Sequence, residues 1–232
     1  LAESTFTSVI IVAAGSGRRL NSTLPKQFLN INGKPLLART ITSLLKVPQL
    51  NELILVVSAD YIGSDALQKC LPVKTGIPVK IISGGDHRQD SVFNGLKALD
   101  TRAQIVAIHD GARPFADPIL VAETIRCCAD YDGAVLAIPA VDTLKEASDH
   151  QVYRTLDRNK IWQAQTPQTF RRTIVEQAYA NAREKSISAT DDSTLVELIG
   201  GKVAIVESTP DNLKITCQND LIIAKSILKR RE

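Results

Sequence analysis

Short apolar, β-branched runs alternate along this chain with longer stretches whose apolar residues recur at helical spacing. The first run, VIIVA at residues 9–13, has no polar residue to turn towards solvent, so it reads as a strand buried on both faces. Residues 36–46 carry helical apolar spacing, and ELILVVS at 52–58 reads as a second buried strand. The alternation continues with a helix at 61–71, a strand at 79–82, a helix at 90–99, a strand within QIVAIHDGARP at 104–114, a helix at 118–132 and a strand, GAVLAIP, at 133–139. Such a β-α-β rhythm predicts an α/β fold, a single Rossmann-like domain around a mostly parallel central sheet.

The pattern changes after Pro139. Residues 140–162, AVDTLKEASDHQVYRTLDRNKIW, are polar and alternating, with Asp149 and His150 placed to turn a hairpin, which predicts a protruding two-stranded β-arm over 141–162. An isolated hairpin is marginal in water, so the arm needs a surface to lie against. A second copy of the chain supplies one and implies a homodimer, and the alternative is packing within the chain. Gln165-Thr166-Pro167-Gln168 reads as a proline-marked turn before an amphipathic helix at 171–185. Thr190-Asp191-Asp192 precedes a further helix at 193–199, with Asp192 read as its cap. Strands at 202–207 and 212–216 and a helix at 220–231 follow. If 212–216 is extended, Lys214 faces away from Leu213 and Ile215, towards solvent or into a cleft. No repeat, low-complexity segment or linker divides residues 1–232.

Composition narrows the function classes. A chain of 232 residues with 44% hydrophobic and 23% charged residues suits one soluble α/β domain. A net charge of +3 is too mild for a nucleic-acid binder, and 4% aromatic residues leave few rings to stack bases. Cys70, Cys127, Cys128 and Cys217 form no C-x-x-C pair, and His87, His109 and His150 form no H-E-x-x-H, so reduced thiols and no transition metal are expected. No apolar run is long enough to cross a bilayer, and the polar start LAESTFTS carries no signal pattern. A cytoplasmic location is expected, with a removed targeting peptide left open by the missing initiator Met.

Candidate chemistry begins where the first strand ends. Ala13, Ala14, Gly15, Ser16 and Gly17 let a ligand approach the backbone, and the free N–H groups of such a loop form an anion-binding concavity. Two commoner glycine motifs fail. A dinucleotide fingerprint needs glycine where Leu20 stands and an acidic residue about twenty positions on. An ATPase-type phosphate loop needs Lys then Ser or Thr after its last glycine, where Arg18 and Arg19 stand. A plain strand-to-helix turn would explain the small residues, but not two arginines with Pro25-Lys26 beyond them. Ligands of open parallel sheets sit past the carboxyl ends of the strands. The loops at 13–19, 84–90 and 110–113 all follow predicted strands and should converge there. For Asp110 the alternative is a cap or a salt bridge with Arg113, and its place at a strand end favours a ligand role.

Collected in this way, the chain resembles the 2-C-methyl-D-erythritol 4-phosphate cytidylyltransferase family over nearly its whole length. The resemblance rests on Ala13-Ala14-Gly15-Ser16-Gly17-Arg18-Arg19 with Pro25-Lys26-Gln27, and on the long signature Ile108-His109-Asp110-Gly111-Ala112-Arg113-Pro114. Gly84-Gly85-Asp86, Asp90-Ser91-Val92, Asp142-Thr143, Thr155-Leu156-Asp157-Arg158, Gln165-Thr166-Pro167-Gln168, Thr190-Asp191-Asp192 and Asn212-Leu213-Lys214 support it. It implies transfer of a cytidylyl group from CTP to a methylerythritol phosphate with Mg2+ and release of pyrophosphate. By the same resemblance Arg19 and Lys26 embrace the triphosphate, and Lys214 adds charge at the α-phosphate. Ala13, Ala14, Gly15, Ser16, Gly17, Gly85, Asp86, Ser91 and Gly111 form the nucleotide site, with Asp110 at the ribose or in the Mg2+ shell. Arg113, Arg158, Thr143, Thr166, Thr190 and Asp191 surround the polyol phosphate. Thr143 and Arg158 then belong to the arm and serve the neighbouring subunit, while Arg18 faces outward. A phosphate monoester has a second pKa of about 6, so the attacking oxygen is already deprotonated and needs no general base. The competing readings are transfer to another polyol phosphate, notably ribitol 5-phosphate, a sugar nucleotidyltransferase or glycosyltransferase using another base, and a nucleotide-binding regulator without turnover.

Overall fold

A computed structural model of the chain describes residues 5–15 and 24–231. Ser16, Gly17, Arg18 and Arg19 lie outside the described residues. The central strand, β1 (Thr7–Ala13), is followed by a two-residue hairpin of β2 (Asn30–Ile31) and β3 (Lys34–Pro35) and by helix α1 (Leu36–Leu44). Then come β4 (Leu50–Val57), the short α2 (Asp65–Gln68), β5 (Val79–Ser83), α3 (Arg88–Lys97), β6 (Ile105–Asp110), α4 (Pro118–Cys127) and β7 (Gly133–Pro139). The second half holds β8 (Lys145–Ser148), β9 (Gln151–Thr155), β10 (Trp162–Arg171), α5 (Arg172–Glu184), α6 (Asp192–Leu198), β11 (Val203–Glu207) and α7 (Gln218–Arg231).

Seven strands form one sheet in the order β11-β7-β10-β6-β1-β4-β5. β1 pairs in parallel with β4 and β6, and β10 runs antiparallel to both its neighbours, β6 and β7. The alternation of side chains in β1 explains its uninterrupted apolar run. Val9 and Ile11 pack under Leu37 and Ile41 of α1 and Val121 of α4, while Ile10 packs on the other face with Val92 of α3 and Tyr179 of α5. A fully buried Ile of this kind stabilises the fold by roughly 1.5–3 kcal/mol, so two such faces fix where β1 lies. Cys70 and Cys128 are free thiols inside this core, and burial pushes them up to about 11 and about 12, which keeps them inert.

Four sequence expectations need correction. The helix predicted over 61–71 is a single 3-10 turn, Ala59–Tyr61, followed by α2, because Gly63 takes φ +80° and Ser64 restarts the chain by accepting a hydrogen bond from Leu67 N at 3.2 Å. The proline turn at 165–168 is instead the middle of β10. The ladder with β7 shifts register between Ala164 and Gln168, so Pro167 stands where no N–H is needed. The strand predicted at 212–216 joins no sheet, although Ile215 N donates to Ala112 O at 2.9 Å and Ile215 is buried. The cap of α6 is Asp191, whose carboxylate accepts from Thr194 N, not Asp192.

The hairpin is present. β8 and β9 pair with each other as a separate two-stranded sheet, every residue of both is exposed, and Asp149 and His150 take φ +49° and +63° at the turn. Two successive left-handed residues match the twist of a tight hairpin.

Candidate active site

The sheet's order places the carboxyl ends of β1 and β6 side by side, and the chain leaves them to opposite flanks. The crevice this leaves is where open α/β sheets hold ligands. It is a cleft of about 550 Å³. Ala13, Ala14 and Gly15 line it from the end of β1, Gly85, Asp86, Arg88 and Ser91 from the β5–α3 loop and the start of α3, and Asp110 and Gly111 from the end of β6. Lys26 and Lys214 close it from more distant parts of the chain. Lys26 Nζ donates to Ile215 O at 3.0 Å, so the two lysines stand on adjoining walls. Gln27, buried, donates from Nε2 to Ala13 O at 2.8 Å and fixes the segment bearing Lys26 against β1.

Asp110 is the electrostatic centre. Its Oδ2 lies 2.8 Å from Lys214 Nζ and 3.6 Å from Arg113 Nε, and its Oδ1 accepts from Arg88 Nε at 3.1 Å. Burial works to raise its pKa, but the cations of Arg88, Lys214 and Arg113 outweigh burial and hold the carboxyl well below the usual carboxylate range. Arg88 also forms a two-pronged pair with Asp192, NH1 to Oδ1 at 2.9 Å and NH2 to Oδ2 at 2.8 Å. Burial disfavours the guanidinium's charge, and Asp192 followed by Asp110 more than offsets that, so Arg88 stays cationic.

His109 sits directly behind, fully buried. Its Nε2 is 2.9 Å from the Arg113 carbonyl, which can only accept, so Nε2 carries the proton. Nδ1 therefore accepts from Thr166 Oγ1 at 3.1 Å, and that same hydroxyl oxygen accepts from Asp110 N at 3.0 Å. Burial pulls the imidazole down to about 4, against the Arg113 carbonyl, which works the other way. A neutral, doubly bonded histidine is a brace for the Asp110 backbone, not a base.

The structure thus brings together Ala13, Ala14, Gly15, Lys26, Gly85, Asp86, Ser91, Asp110, Gly111 and Lys214. The other expected substrate residues lie off the cleft lining. Arg113 folds onto Asp110 and donates from NH1 to Asn212 O at 2.7 Å, and the Thr166 hydroxyl is spent as described. The Asp191 carboxylate also accepts from Thr194 Oγ1, Ser193 Oγ and Gln168 Nε2, so it serves α6. Thr190 is exposed beside it, and Thr143 and Arg158 are exposed on the arm, where Arg158 NH1 donates to Val141 O at 2.9 Å. Arg88 escaped the sequence reading, and Asp192 was read there only as a helix cap. One signal was available: a cation in the first turn of a helix opposes the macrodipole, so Arg88 at the start of α3 called for an acidic partner.

Loops from three strand ends, two lysines from distant segments and an acidic centre that organises cations describe a nucleotidyltransferase. The profile described as "IspD: 2-C-methyl-D-erythritol 4-phosphate cytidylyltransferase" matches residues 7–230, and the chain belongs to that family. The protein of this name from Syntrophus aciditrophicus (strain SB) is 42% identical over 226 residues, 96% of each chain. That from Clostridioides difficile (strain 630) is 42% identical over 222 residues, 95% of this chain and 93% of that one. The crystal structure of 4-diphosphocytidyl-2C-methyl-D-erythritolsynthase from Anaerococcus prevotii DSM 20548 superposes with a TM-score of 0.85 at 32% identity, covering 97% of both chains. The chain is an enzyme, a cytidylyltransferase.

Proposed function

We propose that this cleft transfers the cytidylyl group of CTP to 2-C-methyl-D-erythritol 4-phosphate, giving 4-diphosphocytidyl-2-C-methyl-D-erythritol and pyrophosphate in the non-mevalonate route to isoprenoid precursors. The observation that carries this reading is the meeting of Lys26 and Lys214 in one cleft that Ala13, Ala14, Gly15, Gly85 and Gly111 also line. A phosphate oxygen of the acceptor forms the new P–O bond to the α-phosphorus, and the bond from that phosphorus to the oxygen bridging the β-phosphate breaks. The leaving pyrophosphate keeps the electron pair. What the step needs is neutralisation of two anionic reactants and their alignment. Lys26 with Arg19 meets the triphosphate, and Lys214 meets the α-phosphate. As point charges on flexible stems, lysines suit this work. Ala13, Ala14, Gly85, Asp86 and Ser91 surround the base.

Mg2+ fits here as a companion of the triphosphate. It takes one or two carboxylates beside phosphate oxygens and keeps several waters. The cleft offers Asp86 and Asp110, Asp110 is already shared among three cations, and the described residues hold no group of three metal-ligating side chains. The phosphates would then carry the ion, which when bound spreads the charge of the triphosphate. The arm completes the acceptor site by bringing Thr143 and Arg158 to a neighbouring copy.

The test is pyrophosphate release with CTP, UTP and ATP crossed against methylerythritol 4-phosphate and ribitol 5-phosphate. Turnover is expected with CTP and the methylerythritol compound, and faster release with ribitol phosphate would overturn the acceptor.

A further inference from the structure

Asp110 divides its oxygens between two tasks. Oδ2 faces Lys214 at 2.8 Å, while Oδ1 is taken by Arg88 Nε at 3.1 Å. The remaining guanidinium nitrogens of Arg88 are committed to Asp192, which has no exposed surface. Asp192 Oδ1 also accepts from Tyr179 Oη of α5 at 2.5 Å, and Asp192 N donates to Gln168 Oε1 of β10 at 3.0 Å. A continuous path, Tyr179 to Asp192 to Arg88 to Asp110 to Lys214, therefore runs from the core beneath α5 to the lysine in the cleft.

Stability alone does not account for such a path. A buried ion pair is often no better for stability than apolar residues of similar volume, because both charges must be desolvated. What a two-pronged arginine–carboxylate contact does supply is geometry: it fixes the plane of the guanidinium. With that plane fixed, Arg88 Nε pins one oxygen of Asp110, and the other oxygen can no longer swing away from Lys214. We propose that Arg88, Asp192 and Tyr179 are positioning residues for the cytidylyl transfer, acting through Asp110 to hold Lys214 where it meets the reacting phosphate. The inference rests on the reading of Lys214 as the α-phosphate contact. It adds that the lysine's placement is set from the core beneath α5 by Asp192 and Tyr179, which lie off the cleft lining, through Arg88, which lines it. Displacements of about 1 Å in a reacting site are enough to cost a hundredfold in rate, so a positioning chain of this kind is visible in kcat.

The competing role is a plain tie between the starts of α3 and α6, and steady-state kinetics separates the two. Asp192→Asn is expected to lower kcat by roughly tenfold to a hundredfold while KM for CTP stays within about threefold. In a Lys214→Ala background the same substitution is expected to change kcat by less than about twofold, because its route runs through the missing lysine. Tyr179→Phe leaves both charges in place and should show the same split at smaller amplitude, about threefold in kcat. It carries the test if Asp192→Asn does not fold. Unchanged kcat with a lowered Tm would reduce the path to a tie between helices. A full multiplication of the Asp192→Asn and Lys214→Ala losses would show that it does not act through Lys214. Absence of cytidylyl transfer by the unaltered chain would overturn the assigned reaction itself, and is told apart because no variant is needed to see it.

Discussion

Lys214 and Lys26 reach the cleft from residues 188 positions apart in the chain, and each is anchored differently: Lys214 on a carboxylate, Lys26 on the Ile215 carbonyl. Each ammonium group is a positive charge in the cleft, so removing it should be felt in the chemistry. Lys214→Ala and Lys26→Ala are each expected to slow turnover by roughly a hundredfold or more, the scale of losing one electrostatic partner of a transition state. Thermal unfolding run alongside checks that the fold is intact, and a near-normal rate would make that lysine a bystander. His109 predicts an effect of another kind. Unfolded, its imidazole titrates near 6.5; folded, burial holds it at about 4. Between those values the unfolded chain binds a proton that the folded chain does not. The group's contribution to stability is therefore whole above pH 6.5, declines as pH falls through the window and stops declining below 4. From about pH 7 to about pH 5 the loss should be about 2 kcal/mol, read by urea unfolding. His109→Gln should be weaker at neutral pH but lack that slope, and an equal slope in the variant would place the titration elsewhere.

At the scale of elements, the loops that build the cleft use their glycines in two ways. A Cβ on Gly84 would lie 2.4 Å from Ala14 Cβ and 2.8 Å from Ser91 Oγ, so here the β5–α3 loop and the β1 loop touch with no room for a side chain. Among the described residues a Cβ on Gly15 would meet nothing within 4 Å, at a position that lines the cleft. Gly84→Ala should cost roughly 1–3 kcal/mol of stability as an overpacked contact, and by shifting Ser91 and Asp86 should also weaken CTP binding. Gly15→Ala should leave stability within about 0.5 kcal/mol and act on CTP affinity alone. Urea unfolding and calorimetry on both variants check this, and equal destabilisation would contradict the distinction. The sequence could not separate these glycines, since both simply follow strands. Its readable parts were those with one physical solution: the apolar runs of β1, β4 and β6 fit only a strand covered on both faces. Gly63, Pro167 and residues 212–216 allowed more than one answer, and the choice was made by partners elsewhere, such as Ala112 O for Ile215. The Arg88–Asp192 pair joins residues 104 apart, a distance over which no local pattern speaks.

At the scale of the molecule, the arm is the part that a single copy does not explain. Val152 and Tyr153 on β9 are 55% and 68% exposed and Val141 at the arm's base is 75% exposed, on an element with no core of its own. Two strands by themselves are marginal in water. The cleft gathers Lys26 and Lys214, which on the proposed reading serve the nucleotide, yet Thr143 and Arg158 stand outside its lining on that same arm. Both facts are met at once if the arm of one copy closes the acceptor side of another's cleft. An Arg158→Ala chain would then have a sound nucleotide site and a faulty arm, and a Lys26→Ala chain the reverse. Mixed in equal amounts and allowed to exchange subunits, half of the dimers would be heterodimers, each with one complete site. Activity should recover to about a quarter of the unaltered enzyme's. If Arg158 served its own chain's cleft, each site of the heterodimer would lack one residue and the mixture would stay as inactive as its parts. Pyrophosphate release, measured after exchange is verified by mass spectrometry of the dimers, decides between the two arrangements.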